Sequence, residues 1–294
     1  MGHKNKKTLT KQIQDRFDNM LAIGESKKEA KKDGTYIEHI YSWNTYRTYM
    51  KHANYFAQYC KNKYCCQTLE ECRQYADEWL ESRADLSAFT LKLEVSALAK
   101  LYRETSNDFV KVKSRQRKNI TRSRGEKVRD SHFSEKRNAE LVDFCKSTGL
   151  RRRELALLTG DKLRKIDGKH QILIDKGAKG GRKRMVPIIG NTKNVIELME
   201  KAGSDKVFTK IPQGADVHGY RRDYAKKLYE MHARPIEEIP YDKYSYKSGK
   251  YTQSDVYACR KDKKGIKYDK KAMRIVTEAL GHSRISVIAG HYIT

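Results

Sequence analysis

Six side chains in the second half of the chain are of types that can grip, protonate or attack a charged centre: Arg151, Lys179, His218, Arg221, His282 and Tyr292. In Thr148-Gly149-Leu150-Arg151-Arg152-Arg153-Glu154-Leu155, Gly149 breaks one helix and Arg151 stands where the next begins, a place from which a guanidinium can hold an anion. Glu154, one turn later, can hold that guanidinium in place. Lys179 precedes Gly180-Gly181 in a turn that continues into Arg182, Lys183 and Arg184, which makes it an exposed ammonium. His218 and Arg221 are spaced i, i+3 and share one helical face. Leu280-Gly281-His282-Ser283 and Gly290-His291-Tyr292 complete the set. Each piece alone has an ordinary explanation: a local ion pair, a solubilising hairpin tip, a chance H-x-x-R, a packing tyrosine. The specificity lies in their order, Arg, Lys, His-x-x-Arg, Gly-His and Tyr, across about 140 residues.

The elements that must carry these residues are mixed. The patterning predicts helices over about Glu135 to Lys146 and from Arg151 through Leu158. Three short strands follow, at Leu163 to Ile166, Gln171 to Ile174 and Arg184 to Ile188. Asp167-Gly168 supplies the first turn, and Gly180-Gly181 lies in the second connection. Helices resume at about Asn191 to Lys201 and Asp216 to Met231. A last one starts near Asp269 and leads into the C-terminus. Residues 235–268 are rich in Lys and Tyr, show poor periodicity, and read as an insertion.

The rest of the chain bounds the partner. Its 294 residues suggest about two domains. Lys and Arg number 63 against 37 Asp and Glu, a net charge of +26, which favours a polyanionic partner and most economically nucleic acid. With 19 Tyr and 7 Phe the chain has too much aromatic content to stay unfolded. No apolar run is long enough for a membrane span, and the lysine-rich start lacks the apolar segment of a signal peptide, so a membrane or secreted protein is not expected. Residues 1–34 carry one helical stripe, Leu9, Ile13, Phe17, Met20 and Leu21, consistent with a basic N-terminal helix or arm. Residues 35–110 read as a compact helical domain with Ser87 as an N-cap. Cys60, Cys65, Cys66 and Cys72 do not have zinc-ligand spacing and read as reduced, structural thiols. Residues 111–130 form a basic linker, too polar to build a core. Lys111, Lys113, Arg115, Arg117, Lys118, Arg122 and Arg124 there are candidates for tracking a DNA backbone, as are Lys183 and Arg184 in the hairpin.

Taken together, TGLRRREL, GAKGGRKRMVPI, HGYRRDYA and ALGHSRISVIAGHY resemble the catalytic domain of the tyrosine recombinases, the phage integrase family, from about Ser134 to the end. The resemblance implies an α+β architecture. A helical core-binding (SAM-like) domain precedes a mainly helical catalytic domain, residues 131–294, with a small three-stranded antiparallel sheet. It implies that Tyr292 attacks a backbone phosphate to give a covalent 3′-phosphotyrosine and a free 5′-hydroxyl. Arg151 and Arg221 would clamp the non-bridging oxygens, with His282 as a further donor. Lys179 would protonate the leaving 5′-oxygen, and His218 would assist proton transfer at the phenol. Glu154 would support Arg151, and His291 is a second candidate contact for the phosphate. A free phenol titrates near 10, so this nucleophile needs such help. No metal and no nucleotide cofactor is implied.

The family's partners are double-stranded recombination sites, a tetramer of its own chain exchanging strands through a Holliday junction, and in places accessory DNA-bending proteins. Its members integrate or excise mobile elements in the cytoplasm of a bacterial or phage-infected cell, at the nucleoid. Two features depart from the pattern. Tyr292 lies ten positions after His282, one more than in the commonest members, and only Ile293 and Thr294 follow the tyrosine. The residues also leave open a type IB topoisomerase, or a catalytically silent DNA-binding regulator or RNA binder.

Overall fold

The computed structural model describes residues 7–116, 133–178, 181–260 and 263–293, and divides into two compact units at about residue 119. Both are dominated by helices, and the only sheets among the described residues are small and antiparallel.

The described residues of the first unit form α1 (Leu9–Asp18), α2 (Lys27–Lys32), α3 (Trp43–Tyr64), α4 (Leu69–Arg73), α5 (Ala76–Glu81) and α6 (Ala88–Tyr102), all but α2 contributing to one core. Short polar side chains start all of them except α5. Ser42 accepts the Thr45 N–H at 3.2 Å, and Ser87 accepts that of Thr90 at 3.1 Å. Each satisfies an amide that the first turn leaves without an intrahelical partner. Ile13, Phe17 and Met20 are fully buried in the same core as Phe56 and Leu98. Residues 9–20 are therefore an integral part of this unit and not an arm. A stripe of apolar side chains at spacings of three and four can only be buried against a partner face, and α3 supplies it. The aromatic residues pack as core, with Phe56 and Trp79 ring centroids 5.3 Å apart.

The second unit is built around α7 (Ala139–Thr148), α8 (Arg152–Leu157), α9 (Thr192–Ala202), α10 (Val217–Glu230), α11 (Lys270–Leu280) and α12 (Ser286–His291). Strands β1 (Leu163–Ile166), β2 (Lys169–Ile174) and β3 (Arg184–Pro187) pair in that order, with Ile172 opposite Val186 and both fully buried. The expected final helix is in fact two. Gly281, at φ 64°, ends α11 in the left-handed region, and the chain turns before α12.

The insertion is also ordered differently from the expectation of an aperiodic segment. It holds two separate two-stranded sheets, β4 (Lys243–Ser245) with β5 (Lys250–Thr252), and β6 (Val256–Ala258) with β7 (Lys267–Asp269). Strands of three residues carry too little alternation to be read from sequence.

Candidate active site

Three chain reversals bring the site together. The first is at Gly149, which ends α7 at φ 59°. A Cβ there would lie 2.3 Å from Cδ1 of the Tyr224 ring, so only glycine lets α8 start against α10. Arg151 caps α8 with extended backbone, and Glu154 Oε2 accepts its N–H at 2.8 Å. The second is the loop into α10, where Arg152 donates to the carbonyls of Pro212 (2.8 Å) and Ala215 (2.6 Å). Asp216 then caps the helix, accepting the Gly219 N–H at 3.0 Å. The third is the turn after Gly281, which delivers His282 and returns the chain through α12 to Tyr292.

Arg221 is the centre of the cluster. It is 1% exposed, and among the described residues no carboxylate pairs with it. Its guanidinium donates instead to the Gly149 carbonyl, to the Leu280 carbonyl at 2.5 Å, and from Nε to the Tyr292 hydroxyl at 3.3 Å. Burial above all lowers its pKa, yet a guanidinium stays charged at any physiological pH. His282 Nε2 lies 3.2 Å from the same hydroxyl. The phenol of Tyr292 is thus bracketed by Arg221 and His282 of its own chain.

Glu154 organises the cations beside it. Its carboxylate is fully buried and receives Arg151 at 2.8 Å and both arms of Arg184 at 2.8 and 2.9 Å. Burial acts to raise its pKa, but the hydrogen bonds and charge of Arg184, followed by those of Arg151, outweigh it and hold the carboxyl below its ordinary value.

Arg184 corrects a sequence expectation. Its side chain is only 6% exposed and also donates to the Ala279 carbonyl at 2.8 Å, so it is an interior strut and not a surface contact for DNA. Alternation along β3 puts Arg184 on the same face as buried Val186, and that two-residue period is the signal that would have found it. Lys183 is exposed.

The pKa of His282 is pushed down to about 4, first by burial and then by the charges of Arg221, Arg151, Arg184 and His291. In the protein alone it is expected to titrate near 4 by NMR; a midpoint near the ordinary 6.5 would contradict this cluster of charge. The sign follows. Between pH 6.5 and about 4 the unfolded chain takes up the proton that the folded one refuses, so this site's contribution to stability is complete above 6.5 and drains away as pH falls through that window. An anion in the pocket should move the midpoint upward.

His218, on the same helix as Arg221, is exposed and makes no side-chain hydrogen bond among the described residues. Partial desolvation, then the charge of Arg221, holds its pKa below the ordinary value. The imidazole on the phenol is therefore that of His282, expected on the phosphate, and not that of His218. His291 is exposed, its charge felt at His282.

Lys179 lies outside the described residues, as do Arg117, Lys118, Arg122 and Arg124 of the linker. Of the linker cations that are described, Lys111 is exposed, Lys113 donates to the Ala84 carbonyl at 2.9 Å, and Arg115 sits 5.3 Å over the Phe89 ring. No group of three or more His, Cys, Asp or Glu side chains among the described residues could hold a metal ion, and none of their helices is long and apolar enough to cross a membrane.

No family model matches the sequence, and no curated protein matches it significantly. Similar solved structures exist. The XerH site-specific recombinase bound to difH substrate in a pre-cleavage complex is 15% identical, with 96% of this chain and 90% of that one covered at a TM-score of 0.47. The Tn1549 transposon integrase in complex with circular intermediate DNA is 12% identical, covering 97% and 95% at 0.45. The XerA recombinase is 14% identical, covering 97% and 94% at 0.32. The chain is thus similar along nearly its whole length to solved recombinases and an integrase, at TM-scores that give no ground for assigning it an activity.

Proposed function

We propose that this protein is a tyrosine-type site-specific DNA recombinase, whose second unit cuts and rejoins DNA through Tyr292. The observation that carries the reading is Arg221, a buried guanidinium to which no carboxylate among the described residues is hydrogen-bonded, held by two carbonyls and facing a phenol. A buried charge without a counter-ion is costly unless a ligand supplies one, and a phosphodiester supplies one negative charge on two oxygens. Arg151, held by Glu154, adds the second guanidinium of the clamp.

In the proposed step the Tyr292 oxygen forms a bond to phosphorus, and the bond from phosphorus to the 5′-oxygen breaks. The phenol gives up its proton to Nε2 of His282, 3.2 Å away, as Arg221 and Arg151 neutralise the charge that accumulates on the phosphoryl oxygens. His282, whose depressed pKa leaves it neutral near pH 7, accepts the phenol's hydrogen bond at Nε2 in the tautomer that carries its proton on Nδ1. Lys179 delivers the proton to the departing 5′-oxygen, and His218, exposed, exchanges protons with solvent. The phosphotyrosine conserves the bond for rejoining. On this reading the duplex is held by the chain's +26 charge, exposed Lys183 included, and four copies exchange strands through a Holliday junction.

The test is a pool of nicked duplexes of randomised sequence, in which the cut fragment diffuses away and traps the intermediate. The wild type is expected to yield a covalent protein–DNA band on a denaturing gel. Tyr292→Phe should yield none while binding DNA within about twofold, because one hydroxyl among many phosphate contacts adds little to affinity. DNA binding by both proteins without any adduct would favour a silent regulator. An adduct accompanied only by relaxation of supercoiled plasmid would favour a topoisomerase.

A further inference from the structure

Helix α12 has six residues, far too few to be stable in isolation. Something must hold it if Tyr292, at its C-terminal cap, is to stay against Arg221 and His282. Ile288, Ala289 and Ile293 are buried, which fixes one side of the helix. The last helical carbonyls lack intrahelical partners, and one side chain from the insertion meets one of them while a second meets the carbonyl just past the cap. Lys263 Nζ donates to the Ala289 carbonyl at 3.0 Å, and the Tyr268 hydroxyl donates to the Ile293 carbonyl at 3.0 Å. One contact lies three residues before Tyr292 and the other one residue after it. The ammonium also sits at the negative end of the helix, where a cation is favourable.

The donors stand on a fixed base. Tyr268 is on β7, paired with Tyr257 of β6, and its ring meets Tyr229 edge-on at 5.8 Å. The next residue, Asp269, is fully buried and gripped by Arg234 at 2.7 and 2.9 Å, with the Arg234 backbone N–H adding a third bond at 3.0 Å. Burial raises the Tyr268 phenol above its ordinary pKa, so it remains an O–H donor across the neutral range.

We propose that Tyr268 and Lys263 are positioning residues for Tyr292: the second hairpin of the insertion clamps the last helix by its carbonyls and sets the reach of the phenol. The proposal rests on the reading of Tyr292 as the nucleophile. Its leverage is geometric, since a misplacement of about 1 Å can cost on the order of 10²-fold in rate.

Tyr268→Phe keeps the ring and deletes only the donor; Lys263→Met deletes the ammonium. At saturating nicked DNA each is expected to slow adduct formation about tenfold, with DNA affinity and urea midpoint within error of the wild type. Lys263→Arg should restore most of the rate. Hydrogen exchange of the Tyr292 and Ile293 amides should speed up in both loss variants. Unchanged exchange, or faster exchange with an unchanged rate, overturns the proposal. So does a loss of rate that merely tracks a fall in affinity and urea midpoint. Should the wild type form no adduct at all, the reading of Tyr292 falls, while the exchange measurement still upholds or overturns the clamp.

Discussion

Arg221→Ala is expected to abolish covalent adduct formation, by at least about 10³-fold, while DNA affinity stays within about threefold. The guanidinium is the one buried cation in contact with the phenol among the described residues, and it would be aimed at the phosphoryl oxygens where charge develops. Removing a single such donor elsewhere typically costs about 10²–10³ in rate, and here the donor is also the pocket's main positive charge. The substitution has a structural cost as well. The carbonyls of Gly149 and Leu280 lose their partner, at about 1–3 kcal/mol each if water does not reach them. Urea denaturation alongside the adduct assay separates the two effects. Arg221→Lys is expected to rescue little, because one ammonium cannot span two carbonyls and the phenol as a planar fork does. A destabilised variant that still forms adduct at the wild-type rate per folded molecule would make Arg221 a purely structural residue.

The second large effect is expected at Glu154. Its carboxylate is the only acid holding Arg151 and Arg184 among the described residues, and its side chain is fully buried. Glu154→Ala leaves Arg184, itself nearly buried, as an uncompensated charge beside a second guanidinium. Breaking such a group by removing one partner costs about 3–5 kcal/mol. Arg151 would lose its orientation, and adduct formation should fall by about 10²-fold even where the protein stays folded. Glu154→Gln gives a pH signature. The folded carboxyl titrates below its unfolded value, so its contribution is present above the ordinary carboxylate range and lost as pH falls through the depressed folded value. The glutamine variant should therefore show a shallower loss of stability in acid. A wild-type acid slope in that variant would mean the three charges are not coupled as described.

Where residues announced themselves by spacing, sequence and structure agree on placement. The i, i+3 pair His218 and Arg221 shares α10, Gly149 sets the start of α8, and the three strands fall within two residues of their expected bounds. What was not legible depended on long-range contact. No local pattern says that Arg184 crosses to Glu154 and Ala279, or that His282 and not His218 reaches the phenol. Tyr268 and Lys263 sit in a stretch of Lys and Tyr with no periodicity, and their meaning appears only when α12 folds back onto them. The first helix was legible as a stripe but not as core or arm, because its lysine-rich surroundings suggest solvent and only the partner face decides that Leu9, Ile13, Phe17 and Met20 are buried.

The most direct measurement is to digest the protein–DNA adduct with protease and nuclease and locate the phosphorylated residue by mass spectrometry. A phosphodiester remnant is expected on Tyr292 and on no other of the 19 tyrosines. A remnant on any other residue, or an adduct that survives Tyr292→Phe, would contradict Tyr292 as the nucleophile.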